Sequence, residues 1–271
     1  MIYFCPSPIG NLKDITLRTL EVLKSVDYVA CEDTRIGGKL LKHFEIEKKL
    51  IQYQKFNEIK QSEKLVELAK KSDIALITDA GMPGISDPGA ILVKRLIEEN
   101  IEFTVLPGPN AALTALVASG LDTEHFYFYG FLDSREGKRE KELESLKNLR
   151  SSIIFYEAPH RIIKTLKSIE KILGDRKISL SRELTKIYEE TLRGKVSEIL
   201  EGQIKEKGEF VIVVEGSKEE EVFTLDIKEE LRKLIDEGMT NSQAVKEIAD
   251  KFNLKKNTVY KESLDLWLMK I

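Results

Sequence analysis

Ile74-Ala75-Leu76-Ile77-Thr78-Asp79-Ala80-Gly81-Met82-Pro83-Gly84-Ile85-Ser86-Asp87-Pro88 is the stretch that sets the fold class. It begins with an unbroken apolar run, Ile74–Thr78, too short for an ordinary helix and typical of a strand buried on both faces. Asp79–Ser86 holds too much glycine and proline for either regular element. Asp87-Pro88 then reads as an N-cap with proline at the first helical position, opening a helix that runs to about Asn100. A strand, a tight loop and a helix in that order belong to α/β layers.

Working outward, Phe103–Leu106 is a second strand, Pro107-Gly108-Pro109-Asn110 a second tight loop and Ala111–Ser119 an apolar helix. Upstream, Ile2–Cys5 and Tyr28–Cys31 read as strands, and Thr16–Val26 and Asn57–Lys71 as helices. In open α/β sheets the loops at the carboxyl ends of the strands gather where ligands bind. The pattern changes near Gly120–Glu124, where an aromatic strand, Phe126–Phe131, and a charged helix, Arg135–Arg150, begin a second α/β unit. Strands Ile153–Glu157, Lys177–Ser181, Tyr188–Arg193 and Glu209–Glu215, with helices Pro159–Leu173 and Val196–Lys205, complete it. The aromatics of Phe126–Phe131 read as core or dimer contact and are not counted as a site.

The charge run Ser217-Lys218-Glu219-Glu220-Glu221 looks like a solvated linker. Beyond it only helices are expected, with Asp226 capping Glu229–Glu237, a second helix Gln243–Phe252, a turn at Asn253-Leu254 and a third helix Lys256–Leu268. That order suggests a helix-turn-helix. The expected domains are therefore 1–120, 121–216 and a tail at 225–271.

With 42% hydrophobic and 33% charged residues, the chain has the make-up of a soluble globular protein. No apolar run is long enough for a bilayer and the N-terminus lacks an export signal, so a cytoplasmic protein with no membrane partner is expected. Cys5 and Cys31 sit in apolar strands, and His43, His125 and His160 are scattered, so neither a disulfide framework nor a metal site is expected. A net charge of −3 argues against indiscriminate coating of nucleic acid.

Ala80–Ser86 does not match the dinucleotide fingerprint, and no phosphate-binding P-loop occurs anywhere. A cofactor without phosphate needs neither; it needs backbone that comes close, which Ala80, Gly81 and Gly84 allow by lacking bulk. Other polar or glycine-rich stretches also follow strands: 7–14, Glu32-Asp33-Thr34-Arg35, 107–110, 157–161 and 182–186.

The segments SPIGNLKDITLRTL (7–20), CEDTR (31–35), TDAGMPGISDPG (78–89), PGPNAALTALVASG (107–120), FYGFL (128–132), FYEAPHRI (155–162), SRELTK (181–186) and GEFVIVVEG (208–216) carry a resemblance in order and spacing. The sequence resembles the tetrapyrrole methylase superfamily, in its branch that methylates small-subunit ribosomal RNA. The resemblance implies a two-domain tetrapyrrole methylase-like fold with a helix-turn-helix appendage, S-adenosyl-L-methionine in the cleft, and a homodimer. It also implies 2'-O-methylation of a cytidine ribose in the decoding region of 16S rRNA, with the small ribosomal subunit as partner. Ser7, Met82, Asn110 and Asp133 depart from the residues usual in that branch.

Carried over by motif, cofactor contacts fall on Ile9, Gly10, Ala80, Gly81, Met82, Ile85, Ser86, Asn110, Ala111, Glu157 and Leu184. Ile85 and Leu184 have plain core packing as their alternative. Methyl transfer from a sulfonium chiefly needs alignment, and a group that accepts the hydroxyl proton adds to the rate. Glu183, Lys186 and His160 are the catalytic candidates, with alternatives beside each. Lys186 can hold a phosphate instead, Glu183 can pair with Arg182 or Lys186, and His160 can cap or pack. Glu32, Asp33, Arg35, Arg161 and Arg182 are candidates for substrate contact, since a carboxylate accepts from a cytosine amino group. Asn57-Glu58 reads as ordinary capping. Two rival functions remain: a methylase of tetrapyrroles or other small molecules, and a ligand-sensing regulator whose tail binds duplex DNA.

Overall fold

The computed structural model describes residues 1–218, 227–252 and 254–268, with side chains to Ser263. The chain divides into two compact units, Met1–Ser217 and Lys218–Ile271. Glu219–Glu221 of the expected linker, the Asp226 cap and Asn253 of the expected turn lie outside the described residues.

Five parallel strands make the first sheet: β1 (Ile2–Phe4), β2 (Tyr28–Cys31), β3 (Lys49–Gln52), β4 (Ile74–Ile77) and β5 (Phe103–Val105), in the order β3-β2-β4-β1-β5. The apolar run of β4 is needed on both faces. Ile74 and Leu76, with Ile2 and Phe4, pack under α3 (Glu58–Ala69) and α4 (Ala90–Glu98) through Leu65, Leu92 and Leu96. Ala75 and Ile77, with Val29 and Cys31, pack under α1 (Leu17–Ser25) and α2 (Thr34–His43) through Leu23, Leu40 and Leu41.

Two elements here are absent from the sequence reading. Asp33 is the N-cap of α2, its side chain accepting from the Arg35 amide at 2.8 Å, so 32–35 is not only a loop but the start of a helix. The pair Gly37-Gly38 hides that helix, because glycine disfavours helix interiors. A Cβ at Gly37 would stand 2.9 Å from Cys31 Sγ, which requires the small residue there. β3 is a short, partly exposed edge strand with little apolar pattern of its own.

The expected cap at Asp87 is also corrected. α4 begins at Ala90 after Gly89, and its amides are satisfied from a distance: Glu58 Oε1 accepts from Gly89 N at 2.8 Å and from Ile91 N at 3.3 Å. Glu58 is buried and also accepts from the Tyr53 hydroxyl at 3.1 Å. With a remote carboxylate filling that role, the side chain of Asp87 is not used for capping.

The second sheet is mixed. β6 (Phe126–Phe131) lies parallel to β7 (Ser152–Glu157), while β8 (Lys177–Arg182), β9 (Glu190–Lys195) and β10 (Phe210–Val214) run antiparallel in the order β6-β7-β10-β8-β9. One face is covered by α6 (Glu136–Leu146), α7 (Ile162–Leu173) and α8 (Val196–Glu201). The other face receives α5 (Ala111–Ser119), whose Ala112, Ala115 and Leu116 pack on Ile154, Val211 and Val213. Arg193 of β9 donates to the Ala118 carbonyl near the end of α5, at 2.9 Å from Nε. The sheets are thus joined by a helix that follows the first sheet and is buried on the second.

In the second unit α9 (Ile227–Asp236), α10 (Asn241–Lys251) and α11 (Lys256–Leu268) surround Leu231, Val245, Ile248 and Val259. α10 opens with a capping box, Thr240 N donating to Gln243 Oε1 at 3.0 Å. Among the described residues, no helix is long and apolar enough to cross a membrane.

Candidate functional site

The loop 78–89 is fixed by its own backbone. Ser7 N donates to Gly81 O at 2.9 Å and Gly81 N to Ser7 O at 3.0 Å, which ties the loop after β4 to the loop after β1. Thr78 Oγ1 reaches the carbonyls of Ala80 and Gly81 at 3.2 and 3.3 Å. Gly81 has φ 76°, and Ser86, with φ 64°, is a rarer case because its side chain disfavours that region. On the facing lobe Glu183 and Thr185 also hold positive φ, at 54° and 66°.

Between these loops lies a cavity of ≈ 350 Å³. It is lined from the first sheet by Ile9, Ala80, Gly81, Met82, Ile85, Ser86, Asp87, Asn110 and Ala111. From the second sheet come Phe131, Tyr156, Glu157, Ala158, Pro159, Leu184, Glu209, Phe210 and Val211. The sequence-derived cofactor residues are therefore brought together, except Gly10, which sits behind the wall against the Leu184 carbonyl and the Lys186 side chain. Asn110 lines the cavity while its side chain caps α5 by accepting from Leu113 N at 3.0 Å.

The lining fits S-adenosyl-L-methionine in its chemistry. It is mostly apolar, and its residues include the acidic Asp87, Glu157 and Glu209 but no lysine or arginine. Such a wall suits a ligand that carries positive charge and no phosphate.

The catalytic candidates stand outside the lining. His160 is exposed in the 3-10 turn Pro159–Arg161, next to the lining residues Ala158 and Pro159. Lys186 Nζ donates to Glu183 Oε1 at 2.8 Å and to Glu209 Oε2 at 2.9 Å, and Glu209 N donates to Glu183 Oε1 at 3.0 Å. Burial raises the Glu183 carboxyl, but the bonds from Lys186 and from the Glu209 amide outweigh it, so its pKa falls below the usual range. Burial likewise lowers Lys186, and its two carboxylate bonds outweigh that, so it is held as a cation.

The candidate substrate residues fall in two places. Arg161 is ion-paired with Glu157 at 3.1 Å and donates to the Leu132 carbonyl at 2.6 Å. Arg182 pairs with Glu190 at 3.2 Å and reaches the Tyr188 carbonyl at 3.3 Å. Glu32, Asp33 and Arg35 lie at the carboxyl end of β2. Arg35 clasps Asp33 at 2.6 Å, and that side-chain bond with the Arg35 amide pulls the Asp33 carboxyl down to about 2. Asp79 Oδ1 accepts from Asp33 N at 3.2 Å. Burial and the charge of Asp79 push Glu32 up, against the pull of Lys55.

Sequence reading passed over Asp87, Phe131, Tyr156, Glu209, Phe210 and Val211, all of which line the cavity. Phe131 belongs to the aromatic strand read as core or dimer contact, and it lies in the lining. β6 shifts register between Phe128 and Gly130, where Gly130 has φ 87°, and the bulge sets Phe131 beside Tyr156 with ring centroids 5.6 Å apart. The glycine before Phe131 was the available signal.

A family profile described as tetrapyrrole (corrin/porphyrin) methylases matches residues 1–200. A protein of Bacillus subtilis (strain 168) named ribosomal RNA small subunit methyltransferase I is 47% identical over 96% of this chain and 92% of its own. A protein of the same name from Halalkalibacterium halodurans is 43% identical over 96% of this chain and 93% of its own. Another, from Synechocystis sp., is 40% identical over 98% of each. A crystal structure of diphthine synthase superposes with a TM-score of 0.63 at 13% identity, over 79% of this chain and 89% of that one, which is a likeness of fold.

Proposed function

Because this chain belongs to the tetrapyrrole methylase family, we propose that it uses S-adenosyl-L-methionine to methylate ribosomal RNA of the small subunit. The acceptor is the 2'-hydroxyl of a cytidine ribose in the decoding region of 16S rRNA. The observation that carries this reading is the cavity between the two sheets, whose lining holds carboxylates and apolar groups but no phosphate-binding cation. The names of the relatives direct it to RNA.

When bound, the sulfonium supplies an electrophilic methyl group. Ile9, Ala80, Gly81, Met82, Ile85, Ser86, Asn110, Ala111, Glu157 and Leu184 hold the donor, many of them through backbone, and Gly10 lets the opposite lobe close behind Ile9. Lys186, kept cationic by Glu183 and Glu209, is placed to hold a phosphate flanking the acceptor ribose. Arg35 is exposed and open to RNA, with Glu32 and Asp33 beside it, whereas Arg161 and Arg182 shape the rim through internal bonds. His160 stands exposed at the mouth, where it meets substrate. The protein works in the cytoplasm as a homodimer. Leu113 and Val117, one turn apart on α5 and 47% and 76% exposed, supply an apolar face for the second copy.

Small ribosomal subunits from a strain lacking this activity, incubated with methyl-labelled donor and the purified protein, test the reading. Label in the ribose of one cytidine of 16S rRNA is the expected result; label only in a porphyrinoid overturns it.

A further inference from the structure

Three acidic residues line the cavity, and the carboxylates of two are already committed. Glu157 is buried, with Oε1 accepting from Ala158 N at 2.7 Å and paired with Arg161 at 3.1 Å, and Oε2 accepting from Thr165 Oγ1 at 2.5 Å. Glu209 Oε2 holds Lys186 at 2.9 Å. Asp87 is the third, and among the described residues its side chain forms neither a hydrogen bond nor an ion pair. Its helix has no need of it, since Glu58 takes the Gly89 and Ile91 amides. The chain nevertheless turns through the unfavourable backbone of Ser86, φ 64°, immediately before it, so that Ser86 and Asp87 both line the cavity.

We propose that Asp87 is the proton acceptor for the hydroxyl that is methylated, an assignment that rests on the methyl-transfer reading above. The hydroxyl oxygen bonds to the methyl carbon as the carbon–sulfur bond breaks, its electron pair staying on sulfur. The hydroxyl proton passes to an Asp87 carboxylate oxygen, so one positive and one negative charge disappear together. The surroundings make Asp87 a stronger base than an ordinary carboxylate. Burial first, then Glu32 at the end of β2 and Asp79 after β4, push its pKa up to about 6, against Lys55 of the 3-10 turn Lys55–Asn57. Tyr156 of β7 faces it from the other sheet, its phenol raised by burial and in part by the Asp87 charge.

The test compares wild-type protein with Asp87→Asn and Asp87→Glu on small ribosomal subunits, under single-turnover conditions across pH 5–9. Wild-type rate should rise through pH about 6 and level off. Asp87→Asn should lose about 100-fold or more and lose that inflection, and Asp87→Glu should recover part of the rate. Calorimetry with S-adenosylhomocysteine should still detect binding to Asp87→Asn, which separates a lost base from a lost fold. Carbon-detected NMR of the ligand-free protein should place the Asp87 titration well above the usual carboxylate range. An Asp87→Asn enzyme with wild-type rate and pH profile overturns the proposal and leaves the methyl-transfer reading standing. Absence of turnover in wild-type protein that binds the donor overturns that reading, and the proposal with it.

Discussion

The two walls of the cavity are held in place by different means. On the first sheet, the loop 78–89 is held mostly through its main-chain groups, by the paired bonds between Ser7 and Gly81, by the Thr78 hydroxyl and by Glu58 at Gly89, with positive φ at Gly81, Gly84, Ser86 and Gly89. On the second, the wall is held by charged side chains: Glu157 with Arg161 and Thr165, and Glu183 with Lys186 and Glu209. A wall held through main-chain groups is little affected by salt but intolerant of side-chain bulk. One built from charge accepts changes of shape more readily but weakens when a buried partner is removed, as at Glu157 and Arg161.

That contrast can be broken most sharply at Glu157. Glu157→Ala leaves Arg161 without its counter-charge inside the protein, and a loss of about 3–5 kcal/mol in unfolding free energy is expected from urea denaturation. Glu157→Gln, keeping the shape, should lose less. At the backbone wall, Gly81→Val forces a β-branched residue into φ 76°, and a stability loss of about 1–3 kcal/mol is expected, with calorimetric binding of S-adenosylhomocysteine abolished.

Asp87 gives a smaller effect of opposite sign. Its folded-state pKa of about 6 lies above the ordinary value of 3.8, so the folded protein keeps the proton that the unfolded chain loses as pH rises between those values. Wild-type stability therefore falls across that window. Asp87→Asn should melt with the wild type below pH 4 and exceed it above pH 6, by about 1 kcal/mol after allowance for solvent screening of a half-exposed group. Equal melting curves at pH 8 would show that burial does not strain this carboxylate. The smallest effect on stability is expected at the rim: Lys186→Met should change unfolding free energy by about 1 kcal/mol or less. It should also reduce the salt slope of RNA binding by about 1, measured by filter binding across ionic strength.

What the sequence made legible follows the same division. Loops that work through backbone carry local signs: glycine, proline and asparagine after apolar runs marked 79–86 and 107–110 as tight loops, and the family resemblance put cofactor contacts on Ala80, Gly81, Asn110 and Ala111, which line the cavity. The α/β layers were readable from the same punctuation, and the family match covers residues 1–200; the helical appendage beyond was readable in the same way. Residues whose position depends on a distant partner carry no such sign. Asp87 looked like a helix cap because nothing nearby reveals that Glu58 occupies that role. α2 was hidden by Gly37, a requirement of Cys31 on a neighbouring strand. Tyr156, Phe210 and Val211 belong to strands whose apolar pattern is the same whether an end faces a ligand or a neighbour. Phe131 changes side through a one-residue bulge that alternation alone does not foresee.

α5 begins at the cavity, at the Asn110 cap, and then buries Ala112, Ala115 and Leu116 on the opposite sheet, with Arg193 fastened to the Ala118 carbonyl. The two halves therefore cannot swing apart as a jaw would without tearing apolar surface from the interior. Amide exchange in α5, β7 and β10 should accordingly be slow and report one shared opening event, and residues 1–120 expressed by themselves should aggregate through that bared helix. Entry and exit of small molecules are left to rearrangements at the rim, so the chamber exists before anything occupies it.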